Sequence, residues 1–210
     1  MAKFYHNTQF LNQIFSKGKN EIVDKSTMGY RLSLILLNRP INKRIFAPLF
    51  RHATNVVMCD GASNRLYDTF ESDKSKYLPT HICGDLDSCR QDVLEYYQQQ
   101  GVQIEKQEDQ DSNDFQKSIS LLTSILSDDQ QDSCEEQKEI QDKIIVLFPF
   151  NGRIDQTLSS MHILSKVTKE DQFIRERTGL MLMDESSTMQ YLQPGINHIR
   201  IGEKVQSKLG

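Results

Sequence analysis

Five short β-prone runs punctuate the first three-quarters of the chain: Arg31 to Leu37, Asn55 to Cys59, Thr80 to Cys83, Val102 to Lys106 and Lys143 to Phe148. Several are almost continuously apolar, as strands buried on both faces must be. Such strands need cover on both sides, and helical patterns lie between them to supply it. Val93, Tyr96 and Tyr97 suggest one helix, with Ser88 as its cap. Phe115, Ile119, Leu122 and Leu126 recur at four, three and four residues in another, which Ser112 is placed to cap. Asp155 to Val167 gives a third, less cleanly amphipathic, with Leu158, Met161 or His162, and Leu164 or Ser165 along one side. The alternation predicts an α/β fold, with a mostly parallel sheet flanked by helices.

Chemistry concentrates where those runs end. Gly84-Asp85-Leu86-Asp87-Ser88 follows the third run and sets two carboxylates two residues apart at a turn. Crowded carboxylates repel unless a cation sits between them, and Mg²⁺ is the usual one when a ligand carries phosphates. Asp60-Gly61-Ala62-Ser63-Asn64-Arg65 follows the second run, combining an acid, a turn of small residues and an arginine fork suited to phosphate oxygens. Asp109-Gln110-Asp111-Ser112-Asn113-Asp114 follows the fourth, with Asp114 in the first turn of a helix. Asn151-Gly152-Arg153-Ile154-Asp155-Gln156 follows the fifth. Taken singly, each also reads as an ordinary surface turn or helix start. Together they converge, because the ligand crevice of a doubly wound sheet lies beyond the carboxyl ends of its strands.

Composition excludes several alternatives. The 210 residues carry a formal charge of −4 with no basic tract, which argues against broad nucleic-acid binding. The longest strongly apolar runs fall far short of the roughly 20 residues that span a bilayer. Met1 to Phe15 is interrupted by polar residues throughout, so no secretory signal is read and a cytoplasmic protein is expected. Cys59, Cys83, Cys89 and Cys134 form no Cys-x-x-Cys pair and are read as buried small hydrophobes in a reducing compartment. No His-Glu-x-x-His pairs the five histidines, and both the Gly-x-x-x-x-Gly-Lys and Gly-x-Gly-x-x-Gly loops are absent. The residues alone thus reach a Mg²⁺-dependent enzyme acting on a phosphorylated ligand.

Two stretches depart from the α/β rhythm. Ser127 to Asp142 is almost wholly Asp, Glu, Gln, Ser and Lys and is expected to be a solvent-exposed insertion. After about Arg175 the runs Gly179 to Asp184, Met189 to Leu192 and Asn197 to Ile201 read as short strands, the last two joined by Pro194-Gly195. They are expected to open a small second β unit, marginal by itself because three strands cover little.

The same segments resemble the thiamin pyrophosphokinases of the eukaryotic type. Asp60-Gly61-Ala62-Ser63-Asn64-Arg65-Leu66-Tyr67-Asp68 is similar to that family's Asp-Gly-Gly-Ala-Asn-Arg-Leu-Tyr-Asp, and Gly84 to Ser88 to its Gly-Asp-Phe-Asp-Ser. Asp109 to Phe115 resembles Asp-Gln-Asp-x-Thr-Asp-Phe, with Asn113 for Thr, and Gly152 to Gln156 resembles Gly-Arg-Phe-Asp-Gln. Tyr191-Leu192-Gln193-Pro194-Gly195 resembles a short motif opening the family's second domain. The resemblance runs from about Leu32 to Ile201. It departs at Phe148-Pro149-Phe150-Asn151, where the family carries a Gly-rich approach.

That resemblance implies transfer of the diphosphate of ATP to the hydroxyethyl oxygen of thiamin, giving thiamin diphosphate and AMP. It implies a Rossmann-like ATP-binding catalytic domain over residues 1–172 and, over 173–210, the start of a thiamin-binding β-sandwich, expected to be truncated in this chain. By motif match, Asp85, Asp87 and Asp114 form the Mg²⁺ set with Asp60 close by. Arg153 and Asp155 join them as catalytic residues, and Asp60, Gly61, Asn64, Arg65, Gln110, Arg153, Asp155 and Gln156 arrange the nucleotide. A homodimer is expected. The chain has no Trp for an aromatic wall against the thiamin rings. A catalytically impaired nucleotide-binding partner or sensor is therefore the alternative reading.

Overall fold

The computed structural model describes residues 3–16, 24–25, 28–109, 112–131, 141–148, 150 and 153–200. The chain opens with β1 (Lys3–Asn7) and α1 (Gln9–Ser16), then runs through β2 (Tyr30–Leu36), α2 (Lys43–His52), β3 (Ala53–Cys59) and α3 (Ala62–Thr69). Next come β4 (His81–Gly84), α4 (Gln91–Gln99), β5 (Gln103–Lys106), α5 (Asp114–Gln131) and β6 (Gln141–Leu147). It closes with α6 (Ile154–Glu170), α7 (Gln172–Arg177), β7 (Thr178–Met183), β8 (Thr188–Met189) and β9 (Ile196–Arg200).

Seven strands form one sheet in the order β5-β4-β3-β2-β6-β7-β8, parallel throughout except for β8, which is antiparallel to β7. Side-chain alternation shows why both faces need helices. Along β2, Leu32, Leu34 and Leu36 enter one core with Phe10, Ile14, Phe46, Leu49, Leu66, Val93 and Tyr97 from α1 to α4. Ile35 points the other way, into a second core with Phe115, Ile119, Leu122, Leu126, Ile163, Leu164 and Ile174 from α5 to α7. Each such fully buried Leu, Ile or Phe contributes on the order of 1.5–3 kcal/mol of transfer free energy. The α/β, mostly parallel sheet read from the sequence is the architecture found.

Topology fixes where a ligand can enter. The chain starts the sheet at β2, builds outward through β3, β4 and β5, then returns to lay β6 and β7 against the opposite side of β2. Order reverses between β2 and β6, and loops leaving these two strands diverge to opposite faces. A crevice results beyond their carboxyl ends.

Several local expectations are corrected. Ser88 does not cap α4, which starts after Arg90. Asn113, rather than Ser112, holds the start of α5: its Oδ1 accepts the Gln116 N–H at 3.0 Å, and Gln116 reaches back to the Asn113 N–H. On α6 the buried residues are Thr157, Ser160, Ile163 and Leu164, while Leu158 and Met161 are exposed. Small polar residues line the buried side because that helix packs close to the crevice, a tertiary effect invisible to periodicity. Ser127 to Asp142 is not wholly an insertion. Its first five residues complete α5, and Gln141 and Asp142 begin β6. Asp142 is buried against Arg31, which donates from Nε at 2.6 Å. Residues 132–140 lie outside the described residues.

Residues 173–189 do not open a separate sheet. β7 joins β6 in parallel, and Leu180 to Met183 alternate between the two cores, as a continuously apolar strand should. β8 then adds to β7, and β9 instead pairs with β1 in a two-stranded parallel sheet.

Candidate active site

Four strand ends supply the candidate site, and the backbone shapes it first. Asp60, directly after β3, adopts φ +45°, a left-handed conformation that asparagine and aspartate tolerate better than most residues. That turn brings its side chain back over the neighbouring strand end, where Oδ1 accepts the Ser88 N–H at 3.2 Å. Gly84, at the end of β4, has φ +139°, and a Cβ there would lie 3.1 Å from the Asp60 Cβ. The close approach of the two loops requires glycine. Gly61 is under a similar constraint, because a Cβ on it would meet the Asn38 side chain at 2.5 Å.

Polar side chains lock these loops together. Asn64 donates to the Ser88 carbonyl at 2.7 Å and accepts the Arg90 N–H at 3.0 Å, tying α3 to the start of α4. Arg65 donates from Nε to Asn38 Oδ1 at 2.6 Å. The Asp87 N–H donates to Asp85 Oδ1 at 3.2 Å, a local turn bond that orients Asp85. Leu86 between them also has a positive φ, +66°.

Three of the carboxylates lie near enough to repel one another. Asp114, half-buried at the start of α5, holds its proton more tightly than an ordinary aspartate, first because burial penalises its charge and then because Asp60 and Asp85 repel it. Lys117 opposes that repulsion, but its Nζ is turned to the Gln107 carbonyl at 3.2 Å. The Cys89 thiol is pushed up to about 12, by burial first and further by Asp60 and Asp85. Asp60 itself is buried. The site therefore concentrates negative charge in partly desolvated surroundings.

Beside this cluster lies a cleft of about 310 Å³ at the switch point. Its walls are Leu37, Asn38 and Arg39 after β2, Asn113 to Phe115 at α5, Phe148 after β6, and Gln156, Ser159, Ser160 and Ile163 on α6. Gln156 Oε1 is buried there without a hydrogen-bond partner among the described residues, an acceptor placed for a donor from outside the chain.

Not every residue singled out in the sequence meets in the cleft. Asp114 lines it, while Asp60 and Asp85 stand on the loops after β3 and β4, near enough to repel Asp114, and Asn64 and Gly61 brace those loops. Asp87 is exposed on the same turn. Arg153 and Asp155 are exposed at the start of α6 and bonded to each other, Nε to Oδ1 at 3.0 Å. Gln110 and Gly152 lie outside the described residues. Asn38 and Arg39, by contrast, line the cleft and were not anticipated. Only the strand order marks their loop as one side of the crevice, although Leu37-Asn38-Arg39-Pro40 stands at a strand end in the sequence.

Among the described residues no three His, Cys, Asp or Glu side chains come together closely enough to cage a metal unaided. A partial oxygen set with surplus negative charge suits Mg²⁺, which keeps several waters and uses one or two carboxylates together with substrate phosphates.

A doubly wound sheet with a cleft beyond its switch point and acidic turns after the neighbouring strands defines the class: an α/β domain of the Rossmann-like kind. The chain belongs to the thiamin pyrophosphokinase family, whose catalytic-domain model matches residues 46–175. A thiamine pyrophosphokinase from Saccharomyces cerevisiae is 40% identical over 96 residues, covering 43% of this chain and 30% of the relative. Thiamine pyrophosphokinase 2 from Arabidopsis thaliana is 31% identical over 149 residues, covering 66% and 52% respectively. The fold matches a thiamin pyrophosphokinase from Candida albicans with a TM-score of 0.71 at 24% identity, covering 94% of this chain and 67% of that one. The yeast enzyme's structure matches with a TM-score of 0.62 at 25% identity, covering 86% and 63%. The chain spans about half the length of the Arabidopsis relative and less of the yeast one.

Proposed function

We propose that this chain transfers the diphosphate group of ATP to thiamin, releasing AMP and thiamin diphosphate. The observation that supports the reading is Asp114 in the wall of the cleft beyond β2 and β6, with Asp60 and Asp85 on the neighbouring loops after β3 and β4 near enough to repel it, in a chain of this family. Asp85 and Asp114, with Asp87 from the same turn as Asp85, are the residues that would hold Mg²⁺. Bound there, Mg²⁺ would neutralise phosphate charge and act as a Lewis acid.

The chain's own groups do the positioning. Asp60 fixes the separation of the β3 and β4 loops through Ser88, so the carboxylates stay close despite mutual repulsion. Gly61 and Gly84 let the loops approach within contact distance of their neighbours. Arg65 and Arg153 donate to phosphate oxygens, Asp155 holds Arg153 until a nucleotide arrives, and Gln110 and Gln156 complete the nucleotide contacts. Alignment of the thiamin hydroxyl with the β-phosphorus, opposite the departing AMP oxygen, is the entropic part of catalysis.

The sheet through β8 is the ATP-binding unit in this reading, and the β1 and β9 pair begins the thiamin-binding unit. Tyr5, Ile196 and Ile199 are exposed on that pair, which supports further packing there. A homodimer, a cytoplasmic location and independence from nucleic acids belong to the same proposal. No helix among the described residues is long and apolar enough to cross a membrane.

The test follows the label from ATP marked at its γ-phosphorus, incubated with the protein, thiamin and Mg²⁺. Label in thiamin diphosphate, with AMP formed one for one, is the expected result. Label in inorganic phosphate with ADP formed would refute diphosphate transfer.

A further inference from the structure

A cleft lined by Asp114, with Asp60 and Asp85 near enough to repel that carboxylate, needs positive charge to receive a polyphosphate, and the described arginines are not equally free to supply it. Arg90 is forked onto Asp68 at 2.8 and 2.9 Å. Arg31 is engaged with Asp142 near the opposite end of the sheet. Arg153 is bonded to Asp155 and exposed, and Arg65 has its Nε on Asn38. Arg39 differs from all of these. It lines the cleft together with Asp114 and Gln156, it is half-buried, and it has no carboxylate partner among the described residues.

Its backbone is also held. The Arg39 N–H donates to the Leu37 carbonyl at 2.6 Å, immediately after β2, and Pro40 follows with a fixed φ. Asn38 beside it is anchored by Arg65 and packs over Gly61. The guanidinium is therefore carried on a tethered loop at the switch point, partly withdrawn from water. A planar fork in that setting matches two phosphate oxygens, which a lysine's point charge does not.

We propose that Arg39 is a phosphate-contacting residue of this site, gripping the polyphosphate of the nucleotide from the β2 side of the cleft. The proposal rests on the nucleotide-binding reading above and adds a residue that the motif matches do not include. It further separates phosphate recognition from base recognition: Arg39 senses the polyphosphate, so its removal weakens ATP without weakening AMP.

Calorimetric titration of the full chain with Mg²⁺–ATP and with AMP, before and after Arg39→Gln and Arg39→Lys, decides the matter, with thermal melting to verify folding. Arg39→Gln is expected to weaken ATP by about tenfold or more, the loss of a charge-assisted hydrogen bond, and to leave AMP unchanged. Arg39→Lys is expected to fall between the two. Inorganic tripolyphosphate should compete with ATP on the wild type and lose potency on Arg39→Gln. Wild-type ATP affinity in a folded Arg39→Gln protein, or an equal loss for ATP and AMP, would overturn the assignment alone. A wild type that binds no ATP would overturn the nucleotide reading and this one with it.

Discussion

Asp60 Oδ1 and the backbone N–H of Ser88 meet at 3.2 Å, so one carboxylate oxygen joins the loop leaving β3 to the loop leaving β4. The same side chain adds negative charge against Asp114. Its structural and electrostatic roles can be separated. Asp60→Asn retains an oxygen acceptor and a side chain that tolerates the left-handed backbone, so melting should change little while Mg²⁺-dependent turnover falls. Asp60→Ala should cost about 1–3 kcal/mol in denaturant unfolding, because the Ser88 N–H loses its partner. Equal destabilisation by both substitutions would show that charge, rather than the bond, holds the loops.

The Arg31 and Asp142 pair is the second point of attack. Asp142 is 1% exposed and accepts from Arg31 at 2.6 and 3.2 Å. Removing one partner strands a buried charge, so Arg31→Ala should destabilise by about 3–5 kcal/mol. Arg31→Met combined with Asp142→Leu should recover most of that loss, because an apolar pair leaves no buried charge unpaired, although the Arg31 bond to the Leu126 carbonyl goes with it. Urea unfolding of the three proteins distinguishes this from a simple packing defect, for which the double variant would be worse than the single.

Lys143 sets a pH dependence of stability. It is 6% exposed, its Nζ would lie 3.1 Å from a Cβ on residue 179, and burial lowers its pKa from 10.5 to about 8. Below pH 8 both folded and unfolded chains carry the charge, and the fold bears the full burial cost. Between about pH 8 and 10.5 the unfolded chain binds more protons, so this group's contribution makes stability rise with pH. Lys143→Met should raise stability at pH 7 by on the order of 1–3 kcal/mol and remove that rise. Unfolding curves measured from pH 7 to pH 10 provide the check, and a variant with an unaltered pH slope would contradict it.

Much of the sheet could be read from the residues because its strands are buried on both faces. Leu32 to Leu37, broken only by Ser33, and Ile144 to Phe148 are apolar for that reason, and the acidic turns after several such runs identified their ends. What could not be read was set by contacts distant in sequence. α1 and α2 went unrecognised. So did the pairing of β1 with β9, which joins Lys3 to Ile196. Nor does anything local to Thr178–Met183 distinguish a strand added to the large sheet from one opening a new unit.

The site divides along the same line. Asp60, Asp85 and Asp114 were visible because each follows a strand. Asn38 and Arg39 were passed over because their importance depends on β6 lying beside β2 rather than beyond β5. The coupling of Arg153 to Asp155 was equally hidden, since two residues separated by one position reveal nothing about whether their side chains bond each other or a ligand.

The central claim is that repelling carboxylates at the switch point exist to hold Mg²⁺ for diphosphate transfer, and Asp114→Asn tests it most directly. Neutralising Asp114 removes repulsion from Asp60 and Asp85 along with the burial cost of its charge. Thermal stability of the free protein should therefore hold or increase, while AMP formation from ATP and thiamin, measured across a Mg²⁺ titration, should fall by about a hundredfold or more. A variant that forms AMP at the wild-type rate at limiting Mg²⁺ would contradict the account.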